Sequence, residues 1–184
     1  ATGALARVGV EPGRYAVLTL HRPSNVDDAR VLGGLLGAIE SIQRQLPVVF
    51  PVHPRTRKRF EEFGFGPKVA QLKGLKLCDP LGYLEFLGLT SQAKLVLTDS
   101  GGLQEETTAL GIPCLTIREN TERPVTVTEG TNVLVGVDPR RIVDEALVAL
   151  GGRGKTGRIP ALWDGKASDR VAGVLRSWRR AGLA

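Results

Sequence analysis

Two histidines, a Ser-Gly-Gly turn, a pair of glutamates and one arginine are the residues here whose types and spacing suit chemistry on an anion. His21 opens the stretch HRPSN, and His53 opens HPRTRKR. Ser100, Gly101 and Gly102 sit in DSGGLQEE, ahead of Glu105 and Glu106, and Arg123 lies in TERP. Glycine lets a backbone approach a phosphate closely, and free N–H groups at a helix start attract negative charge. A Gly-Gly turn alone is equally an ordinary strand-to-helix junction, and either histidine alone is equally a hydrogen-bonded structural residue. Each histidine has an arginine within two residues, and with the glycine turn the three stretches read as a diphosphate cradle. One glutamate after the turn can serve the helix start. A second, Glu106, fits a ribose, whose hydroxyls an acidic residue accepts in dinucleotide sites.

Such a site needs elements that bring the three stretches to one edge. Tyr15–Leu20, Val48–Val52, Leu75–Cys78, Leu95–Thr98, Cys114–Ile117 and Val133–Val135 read as short apolar strands, with Pro51 fraying the second. Between them lie helical patterns. One is capped by Asp27 or Asp28 and carries Val31, Leu32, Leu35, Leu36, Ile39, Ile42 and Leu46 at helical spacing, up to Pro47. Others run over Arg55–Phe63, Leu81–Gln92 and Leu103–Leu110, the last stopped by Gly111. Asp138-Pro139 opens a further helix with Ile142, Ala146, Leu147 and Leu150 inward. A final helix over Ala167–Arg180 is expected to turn Val171, Val174, Leu175 and Trp178 inward. Alternating strands and helices predict an α/β fold, a Rossmann-like parallel sheet covered by helices on both faces. Ligands then bind beyond the carboxyl ends of the strands, where both histidines and the glycine turn fall.

Composition narrows the classes. The chain has 184 residues, 42% hydrophobic and 24% charged, as an ordinary globular domain does. No apolar run approaches the length of a membrane span, and the N-terminal stretch lacks a signal-peptide pattern, so no membrane partner is expected. The absence of methionine suggests a processed chain or a piece of a longer one. Cys78 and Cys114 lie in apolar runs and read as reduced, buried residues, which suits a cytoplasmic protein without a structural metal. The net charge of +6 equals the surplus from Arg153 onward, eight basic residues against Asp164 and Asp169. That tail offers only Trp163 and Trp178 for stacking bases, so no nucleic-acid partner is expected. ALGGRGKT, residues 149–156, fits a relaxed phosphate-loop pattern, but it follows a helix instead of a strand and reads as a connector.

The motifs LTLHRPSN, FPVHPR, DPLGYLEFL, the long block from LTDSGG to TERPVTV, and EGTNVLVG, in this order, resemble the UDP-N-acetylglucosamine 2-epimerase family. The resemblance covers the C-terminal, nucleotide-binding half of that family's two-domain GT-B arrangement and implies that residues 1–184 are a single such domain lacking an N-terminal partner. It implies that His21 lies against the substrate diphosphate as a catalytic group. Ser100, Gly101, Gly102 and Arg123 would hold the phosphates, and Glu106 the ribose. The segment Pro80–Phe86 would receive the uracil, and His53 would line the cleft. The implied reaction inverts C2 of the sugar by eliminating UDP and adding it back, without a cofactor, in a protein that dimerises. Three departures stand out against the family pattern: Ser24 replaces a glutamate, Arg55-Thr56 replace an asparagine-proline pair, and Val125 replaces a glutamate. They leave room for a hydrolysing epimerase, a GT-B glycosyltransferase using a UDP-sugar, or a module that only binds UDP.

Overall fold

The computed structural model describes residues 2–180. Six parallel strands form one sheet in the order β3-β2-β1-β4-β5-β6. They are β1 (Ala16–Thr19), β2 (Val48–Pro51), β3 (Leu75–Cys78), β4 (Leu95–Thr98), β5 (Cys114–Thr116) and β6 (Asn132–Leu134). This is the doubly wound Rossmann order, as expected. The chain works outward from β1 to β3, then crosses back to β4 and works outward the other way. The order therefore reverses between β1 and β4, and the crevice beyond their carboxyl ends is the ligand position of such sheets. Register makes the crevice narrow and level: Thr19 pairs with Thr98, so the residues after both strands emerge side by side.

The strands read as apolar runs because both their faces are covered. All four residues of β4 are buried, as are Ala16, Val17 and Leu18 of β1. One face packs under α3 (Ala29–Ile42) and α9 (Pro139–Val148), which contribute Leu32, Leu36, Ile39, Ile142 and Ala146. The other packs under α1 (Thr2–Val8), α6 (Tyr83–Thr90) and α7 (Gly101–Leu110), through Leu5, Leu89 and Leu103. Each fully buried Leu or Val contributes roughly 1.5–3 kcal/mol.

Local signals set the boundaries. Asp28, not Asp27, caps α3 and accepts from the Val31 amide at 2.9 Å. Asp138 caps α9 through the Arg140 amide. Gly111 adopts a left-handed conformation (φ 69°) and closes α7. Among the described residues five helices carry proline at their first or second position, α9 at Pro139 as expected. Three of the others are absent from the expected set: α2 (Pro23–Val26), α5 (Gly66–Gln71) and α8 (Pro124–Thr128). The fourth, α4 (Pro54–Glu62), starts one residue earlier than expected. Residues 149–153 wind as a single π-turn after α9, so the ALGGRGKT stretch indeed follows a helix.

One helix corrects its expected orientation. In α10 (Ala167–Arg180), Val171, Val174, Leu175 and Trp178 are between 56% and 66% exposed instead of inward. Helical periodicity defines an apolar face but does not say what covers it. Leu147 of α9, also expected inward, is 42% exposed, while Leu150 packs against the core. Among the described residues, no helix is long and apolar enough to cross a membrane.

Candidate functional site

A cavity of about 290 Å³ opens at the carboxyl edge between β1, β2 and β4. Its walls include His21 after β1, His53 after β2, and Ser100, Gly102 and Glu106 at the start of α7. Pro80, Leu81, Tyr83 and Phe86 form an apolar wall on the far side. Five of the sequence-predicted residues thus share one cavity. Gly101 and Arg123 lie outside its lining.

The hub of the polar side is Asp99, the first residue of DSGG, to which the sequence assigns no role of its own. It is fully buried. Its Oδ2 accepts from the backbone amides of His21 (2.9 Å) and Arg22 (2.8 Å) and from Asn25 Nδ2 (3.3 Å). Its Oδ1 has no other partner and lies 2.9 Å from His21 Nδ1. A buried carboxylate needs such partners, since an unpaired one would cost several kcal/mol. The arrangement fixes which ring nitrogen of His21 faces inward and leaves Nε2 for the cavity. The Asp99 hydrogen bond raises the His21 pKa above its ordinary 6.5, against the opposing effect of burial. The signal for Asp99 was present: a carboxylate at the end of the most apolar strand is buried beside whatever the sheet edge binds.

That shift has a stability consequence with a definite sign. The histidine gains a partner on folding, so the pair's contribution is fully present below about pH 6.5 and is lost as pH rises through the raised folded value. Denaturant midpoints measured at about pH 5.5 and about pH 8.5 should therefore fall further on alkalisation in the parent chain than in H21Q. Equal slopes in both would show that the pair does not titrate as described.

The α7 N-terminus supplies the second polar wall. Helix α7 starts at Gly101, two residues earlier than expected, with Ser100 as N-cap. The Ser100 side chain makes no capping bond, so its hydroxyl is free, while its amide donates to Thr98 Oγ1 at 2.9 Å. A side chain at Gly102 would project into open space. The earlier start moves Glu105 and Glu106 out of the first turn, so neither is explained by the helix dipole. Glu105 instead pairs with Arg123, Oε2 to Nε at 3.1 Å. Glu106 lines the cavity, and burial, followed by the charge of Glu105, raises its carboxyl pKa.

The basic stretch after His53 behaves differently from the expected cradle. His53 Nδ1 accepts from the Arg55 amide and caps α4, and its ring lies 5.7 Å from that of His21. Arg55 and Arg59 both bind Asp27, and Arg57 binds Asp79. The arginines of α4 therefore brace the loops after β1 and β3 and leave His53 alone in the cavity. Asp27 is held by them, Arg55 first, down to about 2. Arg22, expected beside His21 in the cradle, bonds to protein groups instead: its Nε donates to the Asp99 carbonyl, and its Nη2 lies 3.6 Å from Glu122.

Both cysteines are free thiols, and burial pushes Cys114 up to about 11. Among the described residues no cluster of His, Cys, Asp and Glu suits a metal ion.

Comparison with known proteins matches this fold and edge. Residues 2–176 match the family model described as UDP-N-acetylglucosamine 2-epimerase. A UDP-N-acetylglucosamine 2-epimerase of Methanococcus maripaludis is 47% identical over 133 residues, 71% of this chain and 36% of that relative. A UDP-2,3-diacetamido-2,3-dideoxy-D-glucuronate 2-epimerase of Pseudomonas aeruginosa is 42% identical over 166 residues, 88% of this chain and 44% of that relative. The Methanocaldococcus jannaschii UDP-GlcNAc 2-epimerase, solved in complex with UDP-GlcNAc and UDP, superposes with a TM-score of 0.82 at 37% identity. It is matched over 96% of this chain and 49% of its own. The chain thus spans half or less of the length of the relatives it matches. With the family model covering nearly all of its residues and the Rossmann edge in place, the chain belongs to the UDP-N-acetylglucosamine 2-epimerase family.

Proposed function

We propose that this chain is the nucleotide-binding half of a UDP-N-acetylglucosamine 2-epimerase. The observation that carries the reading is the union, in one cavity, of an Asp99-held histidine and the free N-terminus of α7. A histidine whose pKa is raised and the backbone donors of a helix start fit a diphosphate. Ser100 with the amides of Gly101 and Gly102 would take one phosphate, and His21 Nε2 the other side. Glu106 would accept from the ribose hydroxyls, and the wall from Pro80 to Phe86 would receive the uracil. Arg123 would leave Glu105 to reach the diphosphate.

In the reaction so read, the C2 proton and the C1–O bond to UDP are lost together and C1=C2 forms. UDP then adds back at C1, and C2 is reprotonated on its other face. The task of this half is to stabilise the departing UDP anion by preorganised donors. The carboxylates that move the C2 proton would belong to an N-terminal partner domain. The exposed apolar face of α10 gives such a domain something to cover. The whole protein is read as a cytoplasmic homodimer that makes precursors for cell-surface polysaccharide and needs no cofactor. The relative that acts on a diacetamido-glucuronate favours a second reading, the same chemistry on another UDP-sugar, because the residues assigned here contact UDP and leave the sugar to the partner half.

Calorimetry tests the site. The chain should bind UDP and not turn over UDP-N-acetylglucosamine, and S100A or R123A should each weaken binding by about 1–3 kcal/mol. Unchanged affinity in both variants would remove this assignment, and turnover by the chain alone would remove the partner half from the mechanism.

A further inference from the structure

The loop carrying Arg123 is held from below by a buried polar cluster that no contact with UDP requires. Gln104 of α7 and Asn132 of β6 are both fully buried. Gln104 Oε1 accepts from Thr121 Oγ1 at 2.6 Å and from Asn132 Nδ2 at 3.1 Å. Asn132 Nδ2 also donates to Thr126 Oγ1 at 3.0 Å, and its Oδ1 accepts from Thr116 Oγ1 at 2.6 Å. The two threonines then grip the same residue. The Arg123 amide donates to Thr121 Oγ1 at 2.9 Å, and the Arg123 carbonyl accepts from Thr126 Oγ1 at 2.7 Å. Both backbone polar groups of Arg123 are thereby tied to side chains that are themselves tied to the core. The cluster also reaches the other half of the site, since Gln104 Nε2 donates to the Ser100 carbonyl at 3.2 Å.

We infer that Gln104 and Asn132 are positioning residues that fix the Arg123 backbone relative to the α7 N-terminus, so that the arginine reaches the same diphosphate as Ser100. Buried amides are costly unless satisfied, and of the three threonine hydroxyls that serve this pair, two, those of Thr121 and Thr126, bond on to Arg123. A cluster needed for packing alone could be apolar. This one fixes one backbone position between two walls of the cavity. The inference rests on the proposed UDP site. It adds that Arg123 acts only while the cluster is whole.

The experiment is a double-mutant cycle on UDP affinity, read by calorimetry with UDP as probe. Thr126→Val removes the hydroxyl at nearly constant volume, and Thr126→Ser keeps it. T126V should weaken UDP binding about tenfold, and T126S should stay within about twofold of the parent. In an R123A background T126V should change affinity by less than about twofold, because coupled residues are not additive. N132A should repeat the pattern of T126V, and if it does not fold, T126V still decides. An equal loss from T126V with and without Arg123, or no loss from T126V, overturns the inference. A parent chain that does not bind UDP overturns the site reading itself. A parent that binds, with an additive cycle, overturns the positioning role alone.

Discussion

Asp99→Asn is expected to lower the His21 pKa toward 6.5 and to slow epimerisation by the full-length protein on the order of 10²-fold, the loss seen when one preorganised donor at developing charge is removed. The argument runs through both carboxylate oxygens. Oδ1 faces His21 Nδ1, orients the ring and favours its protonated form. Oδ2 gathers the His21 and Arg22 amides, so it also sets the path of the loop after β1. An asparagine supplies one acceptor oxygen where two are used, and its NH₂ must face either the His21 and Arg22 amides, which only donate, or His21 Nδ1, which accepts only when the ring is neutral. That mismatch should cost about 1–3 kcal/mol of stability as well. The NMR titration of His21 in this chain separates the two effects, because it reads the ring and not the fold. A His21 pKa equal in D99N and parent would show that Asp99 serves the loop alone. A full rate in D99N would remove the dyad from catalysis.

What the sequence reveals about this site divides along a physical line. Periodicity and turn residues reveal the six strands, the α7 start within two residues, and the edge to which His21, His53 and Ser100 are brought, because parallel strands buried on both faces leave an unmistakable apolar pattern. Partner choice is less visible. Arg55, Arg57 and Arg59 read as a phosphate-facing run, yet Asp27 and Asp79 compete for them, and those aspartates are near neighbours only after folding. Glu105 reads as a helix-start residue and instead holds Arg123. Asn132 is silent for the opposite reason: it is one polar letter beside an apolar run, and its importance comes from the one donor and two acceptors that meet it only in the fold. The exposed face of α10 marks a further limit. An amphipathic pattern predicts that a face will be covered, and half of a longer family leaves open which body covers it.

Gly157→Ala should lower the stability of this chain by about 2–4 kcal/mol, through overpacking against backbone and the loss of a partly buried lysine contact. The connector after the π-turn docks on the turn between α8 and β6, the underside of the Arg123 loop. A Cβ at Gly157 would lie 2.3 Å from the Gly130 carbonyl carbon and 2.6 Å from both the Gly130 oxygen and the Thr131 nitrogen. These are backbone atoms and cannot swing aside as a side chain does. The connector must lift, and with it go the Arg158 amide bond to the Glu129 carbonyl (2.8 Å) and the Lys155 ammonium, which donates to the carbonyls of Val127 and Asn132. Burial lowers the Lys155 pKa, so its stay there depends on those carbonyls. For a chain of this size the loss corresponds to a fall in Tm on the order of 10 °C. Gly151→Ala is the matched control, because the nearest atom its Cβ would meet is Arg153 Nε at 3.9 Å, and it should leave Tm within about 2 °C of the parent. Equal melting of both variants would show that the connector floats free of the α8–β6 turn. A lowered Tm in G157A alone, together with weakened UDP binding, would show that a stretch which resembles a phosphate loop serves the phosphate site from beneath, by holding the turn on which Arg123 stands.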